Sequence, residues 1–239
     1  MRESTPMRAQ FFVTGTDTDV GKTLISEGLI HAANQQGLTT AALKPIAAGC
    51  EQTPEGLRNN DALILQQAIT TSLSYEQINP VALEAAIAPH VAAEQEGRRL
   101  SADRLAGFCR GVLMQRTEFV IVEGAGGWRV PLNRRETLAD VAKLLSLPVI
   151  MVVGVRLGCL NHAYLTAEAI RRDGLSLAGW VSNHIDPHMV AYEASLADLE
   201  QGLGAPCLGH IPFLSNPSGI HIKNDLDIGK ILPPAFSYK

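Results

Sequence analysis

The chain has 239 residues, a formal net charge of −4 and a pI near 6.0, with 46% hydrophobic and 5% aromatic residues. This length suits one large domain that buries roughly 70–75% of its unfolded surface, so folding requires neither disulfides nor metals. The acidic balance disfavours nucleic acid and acidic membranes as partners. Four scattered cysteines without a CxxC pair are typical of reduced thiols. The N-terminus lacks an apolar signal segment and no run suits a membrane span, so we expect a cytoplasmic protein.

Strand-like and helical patterns alternate along the chain. Continuous apolar strands separated by helices predict a parallel sheet covered on both faces. The predicted strands are 10–14, 39–43, 119–122, 148–154, 177–182 and 207–212. The predicted helices are 21–36, 61–68, 102–116, 161–173 and 188–201.

Glycine, serine and polar runs mark the ends of several elements. Gly37 is expected to end the first helix in a left-handed conformation, and Ser101 is expected to cap the third helix. The polar stretch 46–60 lacks periodicity and predicts a long loop, which in compact domains is usually functional or mobile.

The segment 15–23 (GTDTDVGKT) joins the first strand to the first helix. Backbone N–H groups of a Gly-rich loop and of a helix N-terminus carry partial positive charge and bind phosphate. Lys22 is expected to reach the β- and γ-phosphates of ATP, and the Thr23 hydroxyl to bind Mg²⁺. The usual first glycine is Thr16 here, with Gly15 one residue earlier. The alternative, a glycine-rich turn with a solvated lysine, is disfavoured by Gly-Lys-Thr in this context.

Three charged residues and one asparagine lie at the ends of predicted strands and helices. Glu123 ends a buried strand, where open α/β sheets bind ligands, and the following Gly-Ala-Gly-Gly lets the backbone approach a ligand closely. Asp61 is interpreted either as a helix cap or as a metal ligand. Lys44 ends the second strand, where a lysine is often solvated, but this edge also carries the phosphate loop. Asn183 is able to make two hydrogen bonds to an adenine edge.

Taken together, the motifs resemble the dethiobiotin synthetase family. The matching segments run in family order from about residue 10 to 215 and are FFVTGTDTDVGKT, LKPIAAGCEQTPEGLRNNDAL, VIVEGAGGW, LPVIMVVGVRLGCLNHAYLTAEAI, LAGWVSN and LGHIPFL. The resemblance implies an α/β P-loop NTPase fold, a single doubly wound, mostly parallel sheet with helices on both faces. We expect a flexible extension at 1–9, one ATP-binding synthetase domain at 10–215 and a tail at 216–239 packed on that domain.

The resemblance also implies an ATP- and Mg²⁺-dependent cyclo-ligase of biotin biosynthesis. An amine of 7,8-diaminononanoate captures CO₂ as a carbamate, and a carbamate oxygen attacks the γ-phosphate of ATP. The second amine then closes the ring and expels phosphate. Because three anionic groups must be held together, cations must supply most of the catalysis. The family pattern further implies a homodimer with a shared active site, and no nucleic acid or membrane partner.

The resemblance assigns site residues by position. The catalytic residues are Thr18, Lys22 and Lys44, and the metal ligands are Thr23, Asp61 and Glu123. The residues expected to bind ATP are Asp19, Val20, Gly21, Lys22, Thr23, Asp61, Glu123, Gly126, Asn183, His184, Pro212, Phe213 and Leu214. The residues expected to bind the diamine are Thr18, Lys44, Ala48, Gly126, Gly158, Cys159, Leu160 and Asn161. The last four begin a helix whose free N–H groups would hold the substrate carboxylate across the dimer interface.

Two positions depart from the family pattern. Ala48 stands where a serine hydroxyl is frequent, which removes one expected hydrogen bond to the diamine. His184 follows Asn183 where an acid is frequent, which could loosen the preference among nucleotides.

Other P-loop classes remain as alternatives. One is a paralogous ATPase acting on a different amine or acid. Another is a partner-switched regulatory ATPase of the partitioning kind, but its signature lysine is Asp17 here. Metal-cluster assembly ATPases need paired cysteines, and cobyrinate-amidating enzymes are much longer. A non-enzymatic nucleotide-binding module would leave Lys44, Asp61 and Glu123 unexplained as a set.

Overall fold

The computed structural model describes residues 8–234 and 236. Of the expected N-terminal extension, 1–7 lie outside the described residues. Within the described ranges, no helix combines the length and apolar character needed to cross a membrane.

The described residues form eight strands and nine α-helices. The strands are β1 (Ala9–Gly15), β2 (Thr40–Leu43), β3 (Glu51–Thr53), β4 (Gly56–Arg58), β5 (Phe119–Glu123), β6 (Val149–Val155), β7 (Leu177–His184) and β8 (Cys207–Ile211). The helices are α1 (Lys22–Gln35), α2 (Asn60–Ala68), α3 (Tyr75–Ile78), α4 (Pro89–Gln95), α5 (Ala102–Leu113), α6 (Leu138–Leu145), α7 (Cys159–Arg172), α8 (Tyr192–Gly202) and α9 (Gly219–Ile222).

Six strands form one parallel sheet in the order β2-β5-β1-β6-β7-β8. The strands β5 and β6 are buried along their whole length, because both faces of the sheet are covered by helices. The predicted doubly wound α/β fold is therefore confirmed. The chain proceeds from β1 towards β2 and later returns to β6 on the other side of β1. A ligand crevice is expected at the carboxyl ends of these central strands.

The alternation of strand side chains divides the core into two layers. In β6, Met151 and Val153 pack with helices α5 to α8, while Ile150 and Val152 pack with α1 and the C-terminal segment. The sheet is thus buried on both faces, and its carboxyl edge is left for polar side chains.

Several expected boundaries change in the structure. The stretch 46–60 is not all loop, since β3 and β4 form a short antiparallel hairpin within it. The cap of α2 is Asn59, whose side chain accepts a hydrogen bond from the Ala62 N–H, so the interpretation of Asp61 as the cap is wrong. The expected helix 188–201 begins only at Tyr192, after Ala191 in a left-handed conformation with φ of 60°.

Other expectations about element ends are confirmed. Gly37 has a φ of 76°, and the Ser101 side chain accepts a hydrogen bond from the Arg104 N–H at the start of α5. Four helices were missed, namely α3, α4, α6 and α9, although two of them carry a capping box that the sequence displays. These boxes pair Ser74 with Gln77 before α3, and Thr137 with Asp140 before α6.

The described C-terminal residues pack against α1. Ile222, Leu226 and Ile228 are buried in the same core layer as α1. A β-carbon added to Gly28 in α1 would lie 2.8 Å from Leu226 Cδ1 and 2.9 Å from Ile222 Cδ1. Gly28 therefore provides the space in which this segment lies.

Gly28→Leu should lower the free energy of unfolding by about 1–3 kcal/mol, because a well-packed contact would be overfilled. The matched control is Gly107→Ala in α5, where an added β-carbon meets nothing within 4 Å. That control should raise stability by roughly 0.5–1 kcal/mol through helix propensity alone. Urea unfolding of both variants measures the difference, and a Gly28→Leu protein as stable as the parent would contradict the packing.

Candidate active site

The phosphate loop lies between β1 and α1 and has constrained backbone geometry. Gly21 caps α1 with a φ of 89°, and an added β-carbon would collide with the Asn183 amide. Asp19 also has a positive φ of 57°, which is uncommon for a residue with a side chain. Lys22 Nζ donates to the Asp17 carbonyl at 3.3 Å, so the ammonium bends back over the loop. Burial lowers the pKa of Lys22, because a buried ammonium is less stable than a solvated one. A phosphate bound nearby would stabilise the charged form of this side chain.

A lysine and two carboxylates meet at the carboxyl edge of the sheet. Lys44 Nζ donates to Glu123 Oε1 at 2.6 Å and to Asp61 Oδ2 at 2.7 Å. Burial alone would lower the pKa of Lys44, but the two acids together raise it above its ordinary value. Burial would likewise raise the pKa of Asp61, yet Lys44 and a hydrogen bond with Thr23 hold it lower. Lys44 is therefore a buried cation.

The three expected metal ligands converge beside this lysine. Thr23 Oγ1 donates to Glu123 Oε1 at 2.9 Å, and Lys44 joins Asp61 to the same carboxylate. Glu123 Oε2 is buried and has no hydrogen-bond partner among the described residues. A buried carboxylate oxygen without a partner favours a bound cation, and hydroxyl and carboxylate oxygens are the ligands that Mg²⁺ takes. The donor set fits Mg²⁺.

A cavity of about 660 Å³ opens next to this cluster. Its expected residues are Thr18, Asp19, Lys22, Lys44, Ala48, Asp61 and Gly126. Its remaining wall was not predicted and comes from Ala47, Asn59, Ala86, Ile87, Ala88, Pro89, Ala125, Val130 and Pro131. Most of these wall residues are apolar, and no motif marks residues 86–89, 130 and 131 in the sequence. A cavity with apolar walls and convergent charges at one end suits a small ligand that has an apolar body and a polar end.

The expected carboxylate site is separate from this cavity within the chain. Gly158 caps α7 in a left-handed conformation, with Asn161 exposed and Cys159 buried in the first turn. None of the residues 158–161 lines the cavity. The preceding Leu157 is 92% exposed. A single chain therefore does not bring these residues together with Lys44.

The expected base-binding residues lie at the ends of β7 and β8. Asn183 Nδ2 donates to the Val20 carbonyl at 3.0 Å, and the Val20 side chain is itself buried. The His184 ring stacks on Tyr192 with centroids 4.1 Å apart, and Phe213 approaches it edge-on. Of the remaining two residues, Pro212 is exposed and Leu214 is half-buried.

Sequence reasoning missed two side chains near these elements. Tyr192 forms the aromatic stack with His184. Arg156, after β6, donates to Asp17 Oδ2 at 2.6 Å and connects the phosphate loop to the start of α7. Asp17 was noted in the sequence only because it is not a lysine. Its pairing with Arg156 requires β1 and β6 to be neighbours in the sheet. A local sequence pattern does not show which strands are neighbours.

Comparison with known proteins decides the family. A family model described as an AAA domain matches residues 9–219. The ATP-dependent dethiobiotin synthetase of Cellvibrio japonicus is 61% identical over 93% of this chain and 97% of its own length. That of Pseudomonas aeruginosa strain PAO1 is 56% identical over 91% and 96%. The chain belongs to the ATP-dependent dethiobiotin synthetase family. The resemblance inferred from the sequence motifs is thereby confirmed.

Solved structures of much lower sequence identity share the fold of this chain. A ParA family ATPase from Chlorobium tepidum TLS has a TM-score of 0.54 at 13% identity, covering 95% of this chain and 96% of that one. The signal recognition particle receptor FtsY from Elizabethkingia anophelis has a TM-score of 0.53 at 14% identity, with 94% and 66% covered. At such identity the matches show only a shared architecture. The likeness to a ParA family ATPase is therefore no evidence that this chain has a partitioning function.

Lys44→Met should destabilise the ligand-free protein by about 3–5 kcal/mol, because it leaves buried Glu123 without its cation. The control is Lys143→Met, which removes an exposed lysine paired with Asp140 and should cost no more than about 1 kcal/mol. Denaturant unfolding without nucleotide or magnesium gives both values. Equal losses in the two variants would contradict the role of Lys44 as counter-ion.

Proposed function

We propose that this chain joins 7,8-diaminononanoate and CO₂, supplied as bicarbonate, into dethiobiotin while converting ATP to ADP and phosphate. The observation that carries the proposal is a single cavity in which Lys22, Lys44 and Thr18 lie beside the acids Asp61 and Glu123. Membership in the dethiobiotin synthetase family supports the same reaction. The chain is an ATP-dependent cyclo-ligase of biotin biosynthesis.

The ATP end of the site is proposed at the phosphate loop. The N–H groups of residues 19–23 and the Lys22 ammonium would bind the β- and γ-phosphates. Gly126 would lie beside these phosphates. The base would contact the ends of β7 and β8, through Asn183, His184, Pro212, Phe213 and Leu214. The buried position of Val20 leaves its backbone, not its side chain, for nucleotide contact.

The metal ligands are proposed to be Thr23, Asp61 and Glu123. A bound Mg²⁺ supplies positive charge to the phosphate oxygens and helps to neutralise the charge that develops on them. The hydrogen bond from Thr23 to Glu123 holds the hydroxyl and the carboxylate near each other before any ligand arrives.

The diamine end is proposed to lie in the cavity between Thr18, Lys44, Ala48 and Gly126. Its apolar wall around Ile87 and Val130 suits the hydrocarbon chain of the substrate. One amine would form a carbamate anion, and the Lys44 ammonium, which lines the same cavity as Lys22 of the phosphate loop, would hold that anion near the γ-phosphate. Because carboxylates already fix Lys44, it needs little reorganisation when the carbamate reacts.

The reaction then requires two displacements. A carbamate oxygen bonds to the γ-phosphorus as the bond to ADP breaks, which gives a carbamic–phosphoric anhydride. The second amine attacks the anhydride carbon, phosphate leaves and the amine loses its proton, which closes the cyclic urea. In both steps negative charge would develop in the cavity that Lys22 and Lys44 line, where two ammonium groups would stabilise it.

We also propose a cytoplasmic homodimer with a shared active site. The start of α7, at Gly158, Cys159, Leu160 and Asn161, would hold the substrate carboxylate of the partner subunit. Exposed apolar side chains next to it support such an interface, namely Leu157, Tyr164 and Leu165. The cysteines of the described residues are all free, which suits a reducing compartment. The proposed domain boundaries stay those of the sequence, 10–215 with a tail at 216–239.

The first test measures phosphate release from ATP with and without 7,8-diaminononanoate and bicarbonate. We expect release to be strongly stimulated only when both are present, with dethiobiotin formed in equal amount. Stimulation by a different amine or acid, and none by this diamine, would indicate a paralogous ATPase instead.

Lys44→Gln should reduce turnover by a factor of about 10² or more, because a preorganised cation is removed from the reacting anions. Binding of ATP should change little, since Lys22 and the loop remain. Steady-state kinetics and nucleotide titration, at a temperature where the variant is folded, give the two values. Lys143→Gln is the control, and near-normal turnover of Lys44→Gln would remove this residue from the mechanism.

The shared site is tested by mixing two inactive variants. Asn161→Asp should repel the substrate carboxylate, and Lys44→Gln should lack the catalytic cation. If each site uses Lys44 of one chain and Asn161 of the other, co-refolded mixtures regain roughly a quarter of parental turnover, because half the dimers have one intact site. Mixtures as inactive as the separate variants, despite demonstrated exchange of chains, would exclude the shared arrangement.

A further inference from the structure

A group of three side chains of metal-binding type lies outside the cavity, at the outer strand of the sheet. Glu200 comes from the last turns of α8, while Cys207 and His210 come from β8. Their sulfur, nitrogen and oxygen ligand atoms all lie within 4.8 Å of one another. His210 Nε2 is 3.6 Å from Cys207 Sγ and 3.0 Å from Glu200 Oε1. None of the three has a part in the proposed reaction.

An irregularity in the strand pairing brings Cys207 and His210 together. Residues three apart in a regular strand point to opposite faces. Here Trp180 pairs with Cys207, and Ser182 pairs with His210, with a register shift between these pairs. Because Trp180 and Ser182 share one face of β7, their partners also share one face of β8. A bulge that re-aims a side chain in this way is a common feature next to functional sites.

The histidine ring is held at Nδ1, and its other nitrogen, Nε2, faces the remaining two side chains of the group. Ser182 Oγ lies 2.7 Å from His210 Nδ1, and Trp180 packs edge-to-face against the ring. A hydrogen bond to one ring nitrogen is the usual device that orients a metal-binding histidine and fixes its tautomer. It leaves Nε2 facing Glu200, while Cys207 Sγ lies beside the ring, 3.6 Å from Nε2 and 3.9 Å from Nδ1, so a small rotation of the cysteine side chain brings the sulfur to an ion on Nε2.

We propose that Glu200, Cys207 and His210 bind Zn²⁺. Tetrahedral bonds of about 2.3 Å to sulfur and 2.0–2.1 Å to nitrogen or oxygen imply S–N and N–O separations near 3.5 and 3.3 Å. The observed distances are close to both. The thiolate and imidazole select zinc over Mg²⁺ and Ca²⁺, which prefer oxygen ligands. Three protein ligands leave the fourth position for water.

The site can be reached from solvent, and the thiol proton of Cys207 competes with a metal ion. The side chains of His210 and Glu200 are 35% and 53% exposed, so an ion can enter from solvent. Burial raises the pKa of the Cys207 thiol, and zinc must displace its proton to bind the thiolate. Proton release on zinc binding is a consequence of this arrangement.

The test is a titration of the full-length chain with Co²⁺, which reports thiolate binding through a sulfur-to-cobalt charge-transfer band in the near ultraviolet. The acids near Lys44 offer only oxygen, so the band distinguishes the two sites. We expect a band that saturates at one ion per chain and is bleached by Zn²⁺, which binds such sites more tightly. Cys50, Cys109 and Cys159 are buried and should not contribute.

Variants assign the ligands. Cys207→Ser should abolish the band, and His210→Gln and Glu200→Gln should each weaken cobalt affinity by at least ~10–100-fold, as should Ser182→Ala through loss of ring orientation. The matched controls Glu193→Gln and His221→Ala change exposed residues of α8 and α9 and should keep the parental affinity. Circular dichroism verifies that each variant is folded. Absence of the band in the parent protein, or its persistence in Cys207→Ser, would overturn the proposal.

Discussion

The active-site region depends on one buried charge. Glu123 is fully buried at the end of β5, and an unpaired carboxylate in such a position is strongly unfavourable. The register of the sheet supplies its partner, because Leu43 of β2 lies opposite Val122 of β5. The next residue of each strand is therefore a neighbour of the other, and these residues are Lys44 and Glu123.

The same pair links two strands of the sheet to two helices. Lys44 also binds Asp61 in the first turn of α2, and Glu123 accepts from Thr23 in the first turn of α1. The phosphate loop, the second strand and α2 are thus held at fixed positions around one end of the cavity. Charges that are fixed before the substrate binds need little rearrangement during the reaction. They would therefore favour transfer of the γ-phosphoryl group from ATP to the carbamate, in which negative charge is redistributed.

That Thr23, Lys44, Asp61 and Glu123 lie together could be predicted from the sequence for a physical reason. Each of these residues lies at the end of an element with a strong local pattern, and parallel strands bring their carboxyl ends to one edge. The wall around Ile87 and Val130 could not be predicted in this way, because its residues meet only through tertiary packing. The hairpin of β3 and β4 was missed, since its residues are polar and lack alternation. Arg156 was missed for the same reason, because its partner Asp17 is 139 residues away, whereas Tyr192 meets His184 across a loop without a local pattern.

The proposed reaction depends on attack of a carbamate oxygen on the γ-phosphorus of ATP. The most direct measurement uses bicarbonate labelled with ¹⁸O and determines the isotope content of the released phosphate by mass spectrometry. Transfer through a carbamic–phosphoric anhydride predicts that each phosphate formed with dethiobiotin carries one ¹⁸O atom from the bicarbonate. Phosphate that contains label only when the water is enriched, and none from bicarbonate, would show that water attacks ATP and would contradict the account.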